Sequence, residues 1–220
     1  MKTKDRILET ARIEFNARRF GNVTTADLAA QCGIAEGNLW YHFKNKRALL
    51  EALCDHFLED VEARLSRLPS DEDRILEDYA DMLAALVWEI RHYRFLYRDQ
   101  ADYGEHTDRL LERLPGIYRD TLAQFRTFFH GMVKAGHLKM QRHRLDDLST
   151  NAVIILRYHL EFLRESGEDS TIGSGAVARA VGQHLTLFDE ALTPNANCID
   201  RFEIPRLVIF RFAANRLNMA

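Results

Sequence analysis

Residues 24 to 46 read TTADLAAQCGIAEGNLWYHFKNK and carry a set of groups able to contact a nucleic acid. Glu36, Asn38, Trp40, Tyr41 and His42 fall on the outer side of a short helical segment whose inner side is Leu39 and Phe43. Their side chains can hydrogen-bond to base edges or phosphates, and a helix of this size fits the major groove. A second element must hold that helix in place. Thr24 with Asp27 three residues on makes a capping-box-like start in which Asp replaces the usual Glu or Gln. Leu28, Ala29 and Cys32 give the element a short apolar face. Gly33 can take the left-handed backbone that stops it, and Ile34 plugs the turn into a core. The spacing predicts a helix-turn-helix with its second helix over Glu36 to His42.

At these residues the chain resembles the DNA-binding domain of the TetR family of bacterial transcriptional repressors. The matching positions are Thr24, Gly33-Ile34, the run Gly37-Asn38-Leu39-Trp40-Tyr41-His42-Phe43, Lys46, and the following Arg47 to Leu53. The match covers roughly the first quarter of the chain, in order and without a gap. The resemblance implies that Thr24, Thr25, Glu36, Gly37, Asn38, Trp40, Tyr41, His42 and Lys46 face DNA. Lys46, beside Asn45 at a helix start, is expected to meet a phosphate with its ammonium and the free backbone N–H groups. Asn38 can pair with adenine through its amide. Trp40 stands where the family usually has Tyr, its indole N–H able to donate but not accept, and two further positions depart from the family pattern. Ala35 stands where Ser is usual, so the recognition helix lacks a side-chain cap worth ~1 kcal/mol. Glu36 replaces a residue that is often basic or an amide. It repels phosphates; it can accept from cytosine N4, or it can simply favour the helix N-terminus electrostatically.

Charge is uneven along the chain. Formal net charge is -3 over 220 residues. Residues 1 to 47 carry nine Lys and Arg against five Asp and Glu, a net of +4, which leaves -7 for the remainder. A basic head on an acidic body suits a module that docks one end on phosphates. Cys32, Cys54 and Cys198 are odd in number and share no metal-like spacing, so neither a disulfide framework nor a metal site is expected. The start MKTKDRILE has no apolar run of signal-peptide length, and Ala152 to Leu156 is far too short to cross a bilayer. These features predict a soluble cytoplasmic protein with no membrane partner and no cofactor. No His-Glu-x-x-His, Gly-rich phosphate loop or Gly-x-Ser-x-Gly elbow points to an enzyme.

Helical periodicity runs through nearly the whole chain, and no strand pattern stands out, so an all-α fold is predicted. Ile7, Leu8, Ala11 and Phe15 form a first stripe, ended by Phe20-Gly21-Asn22. Asn45 can cap a helix running to about Leu68, and Ser70 with Asp73 reads as the next start. Ile75 to Tyr93 is a long stripe, with a bend near Tyr103-Gly104. Leu110, Leu111 and Leu114 form a patch that stops at Pro115-Gly116, and a further helix ends near Gly136. Asp146 to Glu165 and Gly175 to Leu192 are the last strong helices, separated by a polar loop over Ser166 to Ser174; Pro205 to Asn215 can form a terminal helix. Two domains are expected: a three-helix head over 1–46 and a larger helical body over 47–220.

The family resemblance implies an effector pocket and a dimer interface in that body. Aromatic residues with polar neighbours in the middle of the chain form either a pocket wall or plain core. The pocket reading names Trp88, Glu89, His92, Tyr93, Tyr97, Asp102, Phe125, Phe129 and Tyr158. The last two helices either pack on a two-fold mate or are buried core. The interface reading names Ala152, Ile155, His159, Phe162, Val181, Leu185 and Phe188. The resulting expectation is a homodimeric regulator, a repressor in the first instance, that binds a pseudo-palindromic double-stranded operator and is released by a small hydrophobic or amphipathic effector. The alternative is a helical-bundle small-molecule-binding or scaffold protein without sequence-specific DNA binding.

Overall fold

A computed structural model describes residues 2–103, 107–170, 175–193 and Val208. Among the described residues there are ten α-helices and no strand: α1 (Thr3–Arg18), α2 (Thr25–Gln31), α3 (Glu36–His42), α4 (Lys46–Leu65), α5 (Ile75–His92), α6 (Arg94–Arg98), α7 (Gln100–Tyr103), α8 (Asp108–Lys134), α9 (Arg144–Glu165) and α10 (Ala176–Leu185). The helices form two compact units. The first comprises residues 1–62 and 89–117, the second 63–88 and 118–220. The unit that holds the helix-turn-helix therefore takes in most of α4, and α6 and α7 besides, well beyond residue 46.

In the first unit, Ile7, Leu8, Ala11 and Phe15 of α1 are buried, as their spacing predicts. They share the core with Phe20, Val23, Leu28, Leu39, Phe43, Leu49 and Leu53. Phe15 meets Phe20 edge-to-face at 5.0 Å between ring centroids and Phe95 at 5.3 Å. The end of α1 departs from expectation: it stops at Arg18, and Arg19, with φ 72°, makes the turn that the sequence assigns to Phe20-Gly21-Asn22. A side chain rarely adopts that backbone, so neighbouring bonds must hold it. Arg98 does so, donating to the carbonyls of Asn16 (3.0 Å) and Phe15 (2.9 Å) while paired with buried Asp99 at 2.6 Å. Asp99 also accepts from the Phe20 N–H at 3.0 Å. Asn16 donates to the His92 carbonyl at 2.7 Å and accepts from the Phe95 N–H at 2.9 Å.

Other boundaries also differ from the sequence reading, among them the start of α9, at Arg144 rather than Asp146. α4 ends at Leu65 rather than Leu68. Ser70 does not open the next helix: its N–H and hydroxyl both donate to Asp78, and α5 starts at Ile75. α8 runs unbroken through Pro115, because buried Leu110, Leu114 and Ile117 anchor it on either side of the lost N–H bond. α10 stops at Leu185, since the chain turns back to place Leu192 opposite Leu138, with Lys139 N–H donating to Ala191 at 2.8 Å and Thr193 N–H to His137 at 3.0 Å. The Asn45 cap is present, accepting from Ala48 N–H at 2.8 Å, and Gly136, with φ 75°, follows the end of α8. The bend at Gly104, residues 171–174 of the polar loop, and the terminal segment at Pro205 to Asn215 apart from Val208 lie outside the described residues.

The second unit is built around an aromatic cluster. Tyr79 touches Phe125, Phe128, Phe129, His184 and Phe188, with ring centroids between 5.5 and 6.4 Å apart. Its hydroxyl lies 2.5 Å from His184 Nε2, and both residues are fully buried. Burial pushes the His184 imidazole down to about 3 and the Tyr79 phenol well above its usual value. A neutral buried imidazole takes up its proton only on unfolding, so the unfolded state binds more protons between pH 6.5 and about 3. Its contribution is complete above pH 6.5 and is lost as pH falls through that window. Urea unfolding of the full chain should therefore show stability falling by up to about 1.4 kcal/mol per pH unit from this residue. His184→Gln, which cannot titrate, should flatten that slope; an unchanged slope would place the acid sensitivity elsewhere.

Candidate nucleic-acid interface

The helix-turn-helix is set by local bonds. Thr24 accepts from Asp27 N–H at 3.1 Å while Asp27 accepts from Thr24 N–H at 2.9 Å, a complete capping box. Gly33 has φ 64°, and the N–H groups of Gly33 and Ile34 close onto the carbonyls of Ala30 and Ala29, each at 3.0 Å. That double closure satisfies carbonyls left over at the end of α2 and turns the chain into α3. Ala35, the N-cap of α3, makes no side-chain cap, as the sequence implies. Leu39 is fully buried and nails the seven-residue α3 to the head.

With Leu39 and Phe43 inside, α3 turns its other residues outward. Glu36, Gly37 and Asn38 are exposed, and a Cβ on Gly37 would meet nothing within 4 Å. Trp40 is 42% exposed and Tyr41 85%. Tyr41 rests edge-on against half-buried His42, with centroids 5.2 Å apart. Thr24 Oγ1 accepts the cap bond of α2 and keeps its hydroxyl proton to donate, whereas Thr25 donates its hydroxyl to Glu36 Oε1 at 2.8 Å. Sequence spacing alone gave no sign of that bridge between α2 and α3.

Lys46 is placed differently from the phosphate role expected of it. Its ammonium turns inward, donates to the Phe20 carbonyl and lies 4.0 Å from the centroid of the Phe20 ring. Burial lowers its pKa, opposed by the charges of Asp102 and Asp27. In this arrangement the side chain latches the start of α4 onto the turn after α1. The aromatic face of Phe20 supplies the attraction that compensates part of the lost hydration.

The residues assigned to an effector divide between the two units. Glu89, His92, Tyr93, Tyr97 and Asp102 belong to the first. There Tyr97 donates to buried Glu89 at 2.7 Å, Tyr93 donates to Asp60, and Phe57 packs edge-on against both tyrosines. Burial pushes His92 down to about 3 and raises Tyr93. Asp102 is exposed, beside Gly21. Trp88, Phe125, Phe129 and Tyr158 belong to the second unit. Phe125 and Phe129 are in its aromatic cluster and Trp88 is half-buried, but Tyr158 is 55% exposed on α9 and lines no interior. The residues that sequence reasoning missed are Tyr79 and His184 as a pair, joined across 105 residues, and Asp60.

The interface residues also divide. Ala152, Val181, Leu185 and Phe188 are buried inside the second unit and are not available to a partner. Ile155 and His159 are half-buried, and Phe162 is 62% exposed. Exposed Ile154 and Tyr158 continue from Phe162 at four-residue spacing, an apolar stripe along α9.

Comparison with known proteins agrees with this architecture. Residues 7–53 match the family described as bacterial regulatory proteins, tetR family, and residues 56–197 match its companion, the TetR bacterial transcriptional repressor. The chain is 26% identical over 187 residues to the HTH-type transcriptional regulator YerO of Bacillus subtilis, covering 66% of this chain and 64% of YerO. A crystal structure of a TetR-family transcriptional regulator from Marinobacter aquaeolei VT8 superimposes with a TM-score of 0.74 at 25% identity, covering 96% of this chain and 99% of that one. AibR in complex with isovaleryl coenzyme A and operator DNA shares the fold, with a TM-score of 0.58 at 16% identity over 85% of this chain and 98% of AibR. The chain belongs to the TetR family. Among the described residues, no helix is long and apolar enough to cross a membrane, and no group of His, Cys, Asp and Glu is arranged to hold a metal ion.

The caps of α2 and α3 make opposite predictions. Thr24→Ala removes the capping box and should cost the head about 1 kcal/mol, whereas Ala35→Ser supplies the missing cap and should add a similar amount. Thermal unfolding of the two variants is the measurement. Equal midpoints would mean that the helix starts do not limit the stability of the head.

Proposed function

We propose that the protein is a ligand-responsive transcriptional regulator, a repressor, that binds a pseudo-palindromic DNA operator as a homodimer. The observation that carries this reading is the outer face of α3. Asn38, Trp40 and Tyr41 stand in solvent on a short helix whose opposite side is fully buried. A soluble head has no folding reason to expose Trp40 and Tyr41 side by side, but a helix entering the major groove does. Tyr41 and Trp40 donate to phosphates, and the Asn38 amide reads a base edge. Thr24 caps α2 and keeps its hydroxyl proton for a phosphate, and Lys46 holds α4 in place, with the first-turn N–H groups that the Asn45 cap leaves over turned to phosphate.

The exposed stripe Ile154, Tyr158 and Phe162, flanked by Ile155 and His159, is the dimer face. A second copy covers it best, because two-fold operators are read by two heads about 34–36 Å apart. The effector is hydrophobic or amphipathic and is held by the aromatic cluster of the second unit. Phe125, Phe129 and Tyr79 supply apolar surface, and His184 Nδ1, buried with no hydrogen-bond partner among the described residues, supplies a polar anchor. Such an effector releases DNA only if it binds the DNA-incompetent arrangement more tightly. AibR, crystallised with both an acyl coenzyme A and operator DNA, is a precedent for both ligands on this fold.

Tyr158→Glu with Phe162→Glu should give a folded monomer by sedimentation velocity, since both side chains are exposed within the chain. Its affinity for an operator selected with the wild type should fall by roughly a hundredfold or more, because a single head has half of the contacts. A dimer of unchanged stability would move the interface away from α9.

A further inference from the structure

Glu36 is the one acid on the outer face of α3, the face that must approach a polyanion. Among the described residues it makes no ion pair. Its single side-chain bond is the one from the Thr25 hydroxyl to Oε1, at 2.8 Å. A threonine hydroxyl has one proton to give, so Thr25 is committed to this carboxylate and not to a phosphate. The bond spans two helices that are each fixed independently, α2 by its capping box and α3 by buried Leu39. The carboxylate is thereby held at the start of α3 with Oε2 still able to accept. An ionised carboxylate accepts only and donates nothing. Pressed toward a duplex, it is repelled by phosphates at every sequence and recovers that loss only where it meets an N–H donor.

In the major groove the donors are cytosine N4 and adenine N6. Guanine offers only N7 and O6, and thymine O4 and a methyl group, so both are refused. Adenine N6 is flanked by acceptors on both sides, its own N7 and the paired thymine O4, which oppose the second carboxylate oxygen, whereas cytosine N4 has an acceptor on one side only, the paired guanine O6, and its C5–H on the other. We propose that Glu36 reads cytosine at one position of each operator half-site, and that Thr25 is the residue that positions it. This rests on the operator-binding reading above and adds the identity of one base to it. The acid lowers affinity for DNA in general and turns that loss into discrimination, since every site lacking the cytosine leaves the charge unanswered.

Selection of duplexes from a random library by the full-length wild type, Glu36→Gln, Glu36→Ala and Thr25→Val tests this, followed by anisotropy titration of the selected sites. Wild type should enrich a half-site with one position held to cytosine. Glu36→Gln, which can both donate and accept, should move that position to adenine, with the cytosine-to-adenine preference changing by roughly tenfold or more. Glu36→Ala should leave the position open and bind all DNA more tightly. Thr25→Val should keep cytosine but weaken its preference about threefold, and Thr25→Ser, which restores the hydroxyl, should recover it. If the glutamine and alanine variants bind everything more tightly with an unchanged consensus, Glu36 is only a repulsive or helix-favouring charge and the inference is overturned. If wild type enriches a consensus without such a cytosine, the inference also fails while the regulator reading stands. If wild type enriches no sequence at all, both fail.

Discussion

The carbonyls at the end of α1 are the constraint on which the first unit depends. A helix end leaves its last carbonyls without partners, and here the chain leaves through a strained residue, Arg19, rather than a glycine. Arg98 answers the carbonyls of Phe15 and Asn16, Asp99 neutralises Arg98 and takes the Phe20 N–H, and Asn16 reaches the other way to the backbone of His92 and Phe95. Each of these groups is satisfied only while the segment from His92 to Asp99 stays against α1. Phe20 then presents its carbonyl and ring to Lys46, which latches α4. A shift of the 92–99 segment must therefore drag α1 with it or leave buried polar groups unpaired, which is far more costly than moving together. The 92–99 segment, α1 and the start of α4 are thereby tied to one another by bonds that must move together.

The local part of this architecture was legible in the sequence. The capping box at Thr24 and Asp27, the left-handed Gly33, the uncapped Ala35, and the inward Leu39 and Phe43 all follow from residue type and spacing within a few positions. The α1 stripe and the end of α9 at Glu165 were readable for the same reason, a 3.6-residue period unbroken by Gly or Pro. What was not legible depends on partners far away in the chain. Nothing near Lys46 announces that its ammonium will point at Phe20, 26 residues earlier. The Arg98 and Asn16 bonds span about eighty residues, and the Tyr79–His184 pair spans 105. Pro115 misled in the other direction: its local preference for breaking a helix is outweighed by the apolar residues flanking it.

The candidate sites follow the same division. The outer face of α3 could be named residue by residue, because a seven-residue helix with two inward anchors leaves little freedom for the rest. The effector and dimer assignments could not be, because an aromatic in a helical stripe looks the same whether it lines a pocket, fills a core or meets a partner. Val181 and Leu185 are core, Tyr158 and Phe162 are surface, and all four sit in helical apolar stripes. Burial alone separates them. It is decided by the packing of α9 on α10, which tilts the stripe Ile154, Tyr158 and Phe162 away from the interior.

On the proposed function, the exposed face of α3 is the surface that meets DNA. The chain has two tryptophans, and only Trp40 lies on that face. In a Trp88→Phe variant all tryptophan emission comes from Trp40, so titration with a duplex selected by the wild type reads that surface directly. Trp40 emission should change saturably, track the anisotropy of the labelled duplex, and return as salt is raised and the phosphate contacts are lost. Binding seen by anisotropy with Trp40 emission unchanged at saturation would contradict it, because DNA would then be held by some other surface.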